Sequence, residues 1–167
     1  MDFAKFTDGD YRLTLPCGRI VVFDKSDCGL LLPYRWVSYK GDNTHSWYAK
    51  AWIGSRRIRM HRFILGAKPG ELVDHRDLDG LNNRRSNIRI CTPQQNRWNC
   101  PQRTGRFKGV YWCKAWKKWI AAIRIGNKRT ILGGFNVEED AARAFDHAAR
   151  IHHGEFAFLN FPTEVTA

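Results

Sequence analysis

Short runs of alternating apolar and polar residues dominate the first part of the chain. They include 19–23, 47–53 and 57–60, and Gly, Pro, Asp and Asn interrupt the sequence between them. Alternating runs bounded by turn-forming residues are typical of antiparallel strands. Residues 1 to about 66 are therefore predicted to form a small β-rich scaffold.

The pattern changes over residues 67–100, where Asp, Asn and Arg surround a few apolar anchors. Two short apolar runs, 72–75 and 88–91, predict strands, and the first ends in Asp74 and His75. These two side chains can bind a metal or transfer a proton. Chemistry therefore explains the polar composition of this segment better than an ordinary loop does.

A helix is predicted directly after the second of these runs. Thr92 suits its N-cap, Pro93 its first position and Gln95 the reciprocal capping position. Asn96 is thus expected one turn into a helix. If the two strands pack on that helix, the end of the first strand and Asn96 can share one pocket.

Residues 106–162 combine strand-like runs with one alanine-rich helix. Strands are predicted over 107–112, 118–125 and 128–132, and a helix after an N-cap at Asn136. The result is a three-stranded antiparallel sheet packed on one helix. Alternation in the middle strand assigns four residues to the helix side and four to the outer side, respectively Trp119, Ala121, Ile123 and Ile125, and Lys118, Ile120, Ala122 and Arg124.

The charge of the chain indicates a polyanionic partner. Among 167 residues, 28 Lys and Arg against 16 Asp and Glu leave a net charge of +12. Residues 103–130 contain nine basic residues, no acidic one and several aromatic ones. A solvated surface is the alternative, but a basic and aromatic block of this kind favours a nucleic-acid surface.

Several classes of protein are excluded by composition. The apolar runs are far shorter than the roughly 20 residues that cross a bilayer, and the start lacks the pattern of a secretion signal, which predicts a cytoplasmic address. Five cysteines without a C-x-x-C pair argue against a disulfide framework and against structural zinc.

A pocket containing Asp74, His75 and Asn96 has defined chemistry. Carboxylate and amide oxygens are hard ligands that suit Mg²⁺ or Mn²⁺, with phosphate completing the coordination. A neutral His75 beside the cation can take a proton from the water that attacks a phosphodiester. Asn87, just before the second strand, can hydrogen-bond across the loop and orient His75.

The same region resembles the HNH endonucleases of the homing type. The resemblance is carried, in order, by 60–62 (Met-His-Arg), 73–75 (Val-Asp-His), 80–89 and 92–99. It implies a ββα-metal core over about 72–99, with His75 as general base, Asp74 and Asn96 as ligands of one divalent cation, and Asn87 as the asparagine that braces the loop. His61 is assigned to packing within the scaffold. Asn82 stands where many relatives have aspartate.

The C-terminal segment resembles the Apetala or ethylene-response-factor DNA-binding domain. The matching stretches are 105–110, 118–124, 132–135, 141–146 and 159–162. The resemblance implies that the exposed sheet lies in the major groove of DNA. The DNA-binding residues that it or the basic block suggests are Lys108, Tyr111, Arg124, Lys128, Arg129 and Ile131. Tyr111, Cys113 and Ile131 depart from the plant pattern, so a plant target sequence is not implied.

The sequence therefore predicts an α+β chain with an N-terminal scaffold and nuclease domain over 1–100, a hinge at 101–105, a DNA-binding domain over 106–162 and a tail at 163–167. The expected activity is metal-dependent, site-directed cleavage of double-stranded DNA by a phage or mobile-element homing endonuclease in a bacterial host. Phosphate contacts in the first domain are expected from its arginines, namely Arg56, Arg57, Arg62, Arg84, Arg85, Arg89 and Arg97.

Two other functions stay open at this stage. One is a DNA-binding regulator whose nuclease core is vestigial, and the other is an RNA-binding protein. The intact set of Asp74, His75, Asn87 and Asn96 argues against the first. A single metal site in a monomer would nick one strand, and a dimer that cuts both strands is also compatible with the sequence.

Overall fold

A computed structural model describes residues 3–7, 9–41, 46–102 and 104–163. Arg103 of the predicted hinge and residues 164–167 of the predicted tail lie outside these ranges. The chain divides into two compact units, residues 1–96 and 97–167. The division falls within the helix that follows the second predicted strand, a few residues before the predicted hinge at 101–105.

The first unit contains three antiparallel sheets and three short helices. Its sheets have the strand orders β1-β2-β3, β4-β5-β6 and β7-β8. The strands are β1 (Phe3–Thr7), β2 (Asp10–Thr14), β3 (Ile20–Asp24), β4 (Val37–Lys40), β5 (Trp47–Ile53), β6 (Arg56–Arg59), β7 (Leu72–His75) and β8 (Ile88–Cys91). The helices are α1 (Cys28–Leu31), preceded by a 3₁₀ turn at Lys25–Asp27, α2 (Met60–Leu65) and α3 (Pro93–Trp98).

The core of the first unit lies between these small sheets and helices. Val21, Phe23, Leu31 and Met60 are all fully buried there, and Tyr11 stacks on Phe23 with ring centroids 5.1 Å apart. The β-rich scaffold predicted from the alternating runs is confirmed, with β3, β5 and β6 close to the expected positions. This core supports the β7-β8 hairpin, which carries Asp74 and His75.

The second unit is a three-stranded antiparallel sheet with one long helix packed on it. The sheet consists of β9 (Val110–Cys113), β10 (Lys118–Ile125) and β11 (Lys128–Phe135), with β10 in the centre. Helix α4 (Glu138–His153) packs on it and leads into a 3₁₀ turn at Gly154–Phe156. A side chain at Gly109, where φ is +76°, would collide with the Phe145 ring of α4. The prediction of three strands and one helix is confirmed.

The structure adds one observation to that prediction and corrects one detail. Ile120 and Ala122, assigned to the outer face, are 0% and 7% exposed. Their partners on the neighbouring strands are Tyr111 and Ile131. Helix α4 starts after Val137, which makes no side-chain cap, and not after an Asn136 cap. Acidic residues in its first turn stabilise that end instead.

Candidate active site and nucleic-acid interface

The β7-β8 hairpin brings the predicted catalytic residues to one edge of the first unit. In its antiparallel register, Asp74 is opposite Arg89 and His75 is opposite Ile88. Asp74 and His75 are each only 5% exposed. A carboxylate and an imidazole are thus both buried at the end of a short strand. Burying such polar groups is costly unless hydrogen bonds or an opposite charge stabilise them.

Asp74 is compensated by Arg89. Oδ2 of Asp74 accepts hydrogen bonds from Nε and Nη2 of Arg89, at 3.0 and 2.8 Å. The Arg89 side chain is 8% exposed. Arg89, predicted to contact DNA, therefore lies inside the unit as the partner of a candidate metal ligand. A buried ion pair of this type is costly to break, because either charge left alone remains desolvated.

His75 lies in a wall of polar and aromatic side chains. Its Nε2 donates a long hydrogen bond of 3.4 Å to Oδ1 of Asn83, which is fully buried. The rings of His61 and Tyr48 lie 4.9 and 5.8 Å from the His75 ring. Burial lowers the pKa of His75, against the opposing effects of Asn83 and of the carboxylates nearby. The imidazole is therefore mostly neutral at pH 7, the form that accepts a proton.

Asn87 braces the loop between β7 and β8. Its Nδ2 donates to Oδ1 of Asp77 and to the carbonyl of Asn82, both at 2.8 Å, and its Oδ1 accepts from the Asp77 amide at 3.1 Å. The bond to the His75 ring described above comes from Asn83. Asn83 lies in a loop-like stretch of the sequence, and only the fold, which buries it completely, makes it a partner of His75.

Helix α3 has the predicted N-terminal capping box. The Thr92 amide donates to Oε1 of Gln95 at 2.8 Å, and the Gln95 amide donates back to Oγ1 of Thr92 at 3.2 Å. The Asn96 amide bonds the Thr92 carbonyl at 3.0 Å. Asn96 is half-buried in the first turns of this helix, as its position in the sequence predicts.

The oxygen donors of Asp74 and Asn96 are chemically suited to a hard divalent cation. No group of three or more His, Cys, Asp or Glu side chains that could hold a metal occurs within the described ranges. A carboxylate and an amide leave most coordination positions to water and phosphate, which is how Mg²⁺ usually binds in proteins. The side-chain oxygens of Asp74 and Asn96 therefore suit such an ion chemically. Oδ2 of Asp74 also accepts the hydrogen bonds from Arg89.

Three more of the predicted phosphate-binding arginines hold the first unit together. Arg84 pairs with Asp10 and Arg85 with Asp27, the latter at 2.7 Å. Arg62 donates to backbone carbonyls that follow α2, including that of Lys68 at 2.7 Å. All three side chains bind groups of their own unit, although half of the Arg85 side chain stays exposed.

Other cations of this unit lie on the outer face of the β4-β5-β6 sheet. Ala49 and Ala51 of β5 are buried, so the alternate residues point outward. The guanidinium of Arg57 lies 4.8 Å from the Trp52 ring, and the Lys50 amine 4.4 Å from the Tyr39 ring. We call this outer face, formed by Tyr39, Tyr48, Lys50, Trp52, Arg57 and Arg59, the basic aromatic face.

Sequence analysis identified only part of this face. It named Arg56 and Arg57, which are exposed on β6, and it missed Lys50 and Arg59. A signal was present, because no Asp or Glu occurs between Asp42 and Glu71. Arg97, also predicted, is exposed.

The outer face of the sheet in the second unit gathers four predicted DNA-binding residues. Arg124 pairs with Arg129 and Ala122 with Ile131 across β10 and β11, while Tyr111 lies on β9 on the same side. The Arg129 guanidinium lies 4.7 Å from the Tyr111 ring centroid. Lys128 stands opposite Ile125 and so alternates to the other side. The structure thus presents two arginines, a tyrosine and Ile131 on one open surface.

Lys108 is not on that surface. Its amine donates to the carbonyls of Trp98 and Cys100, both at 2.6 Å, and to that of Arg97 at 3.4 Å. Burial lowers its pKa to about 8. The predicted phosphate ligand caps carbonyls at the end of α3, a role that its sequence position does not reveal.

Trp116 belongs to the basic and aromatic block of the sequence but is not among the predicted DNA-binding residues. It lies in the turn between β9 and β10, is 61% exposed, and is flanked within a few positions by Lys114 and Lys117. An exposed indole between two lysines is well suited to contact a nucleic acid. The Lys-Ala-Trp-Lys-Lys run of the turn is a signal that could have identified it.

Comparison with known proteins finds relatives of two kinds. The chain is 34% identical over 110 residues to the HNH endonuclease L560 of Acanthamoeba polyphaga mimivirus, covering 62% of this chain and 58% of that protein. It is similar to an HNH endonuclease. The resemblance inferred from the residues around Asp74 and His75 is therefore confirmed.

The second kind consists of plant transcription factors. The chain is 53% identical over 51 residues to dehydration-responsive element-binding protein 2E of Oryza sativa subsp. japonica, which is 29% of this chain and 16% of that protein. It is 49% identical over 63 residues to ethylene-responsive transcription factor ERF084 of Arabidopsis thaliana, 36% of this chain and 24% of that protein. The second predicted resemblance is also confirmed.

These matches are partial. The chain spans less than two thirds of the length of each of these relatives, and no family model matches it. Among the described residues, no helix is long and apolar enough to cross a membrane.

Proposed function

We propose that this chain is a DNA endonuclease that hydrolyses phosphodiester bonds with one divalent cation, Mg²⁺ or Mn²⁺, and His75 as general base. The observation that carries the proposal is the burial of Asp74 and His75 at the end of β7, where burial lowers the pKa of His75. Similarity to a viral HNH endonuclease supports the same class of reaction.

His75 performs the proton transfer in this proposal. A neutral imidazole takes a proton from the attacking water and so generates the nucleophile at the phosphorus. Its pKa is lowered by burial, so the unprotonated form persists below pH 7. Asn83 and the braced loop around Asn87 fix the polar surroundings in which this occurs.

Asp74 and Asn96 would hold the cation. When bound, the cation supplies stabilisation of negative charge on the phosphate and on the leaving oxygen. Arg89 fixes the direction of the Asp74 carboxylate through two hydrogen bonds to Oδ2.

Two surfaces bind the DNA substrate. The outer face of the β9-β10-β11 sheet, with Tyr111, Arg124 and Arg129, recognises the site through phosphate and base contacts. The basic aromatic face binds phosphates near the cleavage site, since Tyr48 belongs to this face and also contacts His75. Similarity to plant element-binding transcription factors supports the first assignment.

The biological setting is an expectation from the sequence resemblance. We expect a homing endonuclease of a phage or mobile element, acting in the cytoplasm of a bacterial host. We expect a monomer that nicks one strand, because we propose one metal site among the described residues; assembly into a dimer would permit a double-strand cut.

A DNA-binding regulator is the second candidate. It is favoured by the ion pair of Asp74 with Arg89, which balances the carboxylate charge without a metal ion. In that case Asp74, His75 and Asn96 would form a structural remnant, and only the two DNA surfaces would act.

A nicking assay distinguishes the two candidates. Supercoiled plasmid carrying genomic fragments is incubated with the purified chain and Mg²⁺ or Mn²⁺, and open-circular product is quantified. The endonuclease predicts metal-dependent nicking that EDTA stops, and a His75→Ala variant that binds DNA with wild-type affinity but does not cut. Equal nicking by His75→Ala would exclude the proposed mechanism. Binding without any nicking by the wild type would establish the regulator.

A further inference from the structure

His61 lies directly beside the proposed general base. It occupies the first turn of α2 and is 3% exposed. Its ring centroid is 4.9 Å from that of His75, with the two planes at 89°. Tyr48 contacts both histidines, with centroids 5.7 Å from His61 and 5.8 Å from His75. The three rings therefore form one compact cluster in which His75 is enclosed from two sides.

The imidazole of His61 is not explained by its own hydrogen bonding. Its Nδ1 is buried and has no hydrogen-bond partner among the described residues. A buried nitrogen without a partner is destabilising, and an apolar ring would avoid that cost. Burial, followed by the charges of His75, Arg59 and Arg62, lowers the pKa of His61 to about 2. The His61 imidazole is therefore neutral and does not transfer protons at the pH where the enzyme works.

The rings packed on His75 act on its orientation in addition to its hydrogen bonds, of which the bond from Nε2 to Asn83 is 3.4 Å long. The terminal torsion of a histidine ring has broad minima, so rings packed against it influence where the imidazole points. An edge-on ring at 4.9 Å is well placed to restrict that rotation.

The chain also holds Tyr48 against the histidines. A Cβ at Gly80 would collide with the carbonyl of Trp47 and with the Tyr48 ring. The loop before β8 therefore approaches closely at a glycine and confines Tyr48 from behind.

We propose that His61 is a positioning residue for His75: its planar ring, together with Tyr48, holds the imidazole of the general base in the orientation that accepts a proton from water. This inference rests on the proposed endonuclease function. It assigns His61 to the catalytic machinery, whereas its sequence context suggests only packing within the scaffold.

The test compares two apolar substitutions that differ in planarity. His61→Phe keeps a flat ring beside His75, and His61→Leu fills the position without one. Both remove the unpartnered nitrogen. We expect kcat for plasmid nicking to fall about 10- to 100-fold in His61→Leu, as for other residues that orient a catalytic group, with KM for DNA unchanged. His61→Phe should recover most of this loss.

Ile64→Ala is the matched control. Ile64 lies in the same helix, is 4% exposed and belongs to the apolar core. Its truncation destabilises α2 without touching His75, so kcat should equal that of the wild type at a temperature where both are folded. Wild-type kcat in His61→Leu would overturn the proposal, as would a loss in His61→Phe as large as that in His61→Leu.

A spectroscopic measurement makes the inference independent of nuclease activity. In protein with isotope-labelled histidine, the ring C–H resonances of His75 should shift and broaden in His61→Leu and stay close to wild type in His61→Phe and Ile64→Ala. Unchanged His75 resonances in His61→Leu would overturn the proposal. If the wild type nicks no DNA, the proposed function fails, and this measurement still decides whether His61 orients His75.

Discussion

Arg89 on β8 and Arg124 on β10 are both strand residues predicted to contact DNA, and the two units use them differently. Arg89 is 8% exposed and holds Oδ2 of Asp74 with two hydrogen bonds. Arg124 is exposed on the outer face of the second sheet, opposite Arg129. The difference follows from the residue on the neighbouring strand. Arg89 is opposite the buried carboxylate of Asp74, whereas Arg124 is opposite another arginine, Arg129.

The same contrast extends to the remaining basic residues. Arg62, Arg84, Arg85 and Lys108 bind carboxylates or carbonyls of their own unit. The count of 28 Lys and Arg therefore overstates the number of basic side chains that are available to a polyanion. Stability experiments should reveal the internally bound cations, and DNA-binding experiments the outward-facing ones.

Removing Arg89 should produce the largest effect on stability. Arg89→Ala leaves the Asp74 carboxylate buried without its cation, which typically costs about 3–5 kcal/mol. Urea unfolding monitored by tryptophan fluorescence measures this change. Arg129→Ala is the control and should alter the free energy of unfolding by less than about 0.5 kcal/mol. Equal effects in the two variants would remove the distinction between internal and outward arginines.

The buried histidines should make the first unit sensitive to acid. His61 has a folded pKa of about 2, so below its ordinary value near 6.5 the unfolded chain binds a proton that the folded chain does not. Stability then falls as pH decreases, by about 1.4 kcal/mol per pH unit for this residue. His61→Phe should lose about 2 kcal/mol less than the wild type between about pH 6 and about pH 4.5. Parallel stability curves for the two proteins would show that His61 is readily protonated in the folded state.

Lys108→Ala should destabilise the second unit moderately. The carbonyls of Trp98 and Cys100 lose a donor at 2.6 Å, and the expected cost is about 1–2 kcal/mol because those carbonyls keep some access to water or other donors. Thermal unfolding provides the measurement. The slope of DNA affinity against salt concentration should stay as in the wild type, and a decrease by about one would identify Lys108 as a phosphate ligand after all.

Arg124→Ala and Arg129→Ala should have the smallest effect on stability and act on DNA binding instead. Each should weaken binding and reduce the salt slope by about one if it contacts a phosphate. Intrinsic metal-dependent nicking should persist. Fluorescence anisotropy over a salt series is the measurement, and unchanged affinity in both variants would mean that this sheet face does not bind DNA.

Local features of the chain were predictable because neighbouring residues decide them. The reciprocal capping of Thr92 and Gln95 starts α3 where the sequence indicates. The central strand of the second sheet is found over Lys118–Ile125 as predicted, with a turn at Gly126. The resemblance to an HNH endonuclease is likewise contained in short ordered stretches and is confirmed by a relative.

Other features depended on residues distant in the chain. Asn83 looks like a turn residue, but its burial beside His75 comes from the packing of its loop on β3, where its amide bonds the Val22 carbonyl at 2.7 Å. Alternation places Ile120 and Ala122 on the outer side of the central strand, and both are buried there between β9 and β11. A periodic pattern predicts on which side of a strand a residue lies, but the residues on the neighbouring strands determine how exposed its side chain is.

The sequence by itself determined which chemical groups this protein has and most of the elements that carry them, because hydrophobic periodicity, helix caps and turns are properties of adjacent residues. Only the tertiary structure decided which of those groups face each other. Arg89 is bound to Asp74 and His61 stands against His75 because β8 and α2 bring them there. Burial and Coulomb interactions act through space, so the assignment of each cation and each histidine to an internal or an outward role follows from the packing and not from the order of residues.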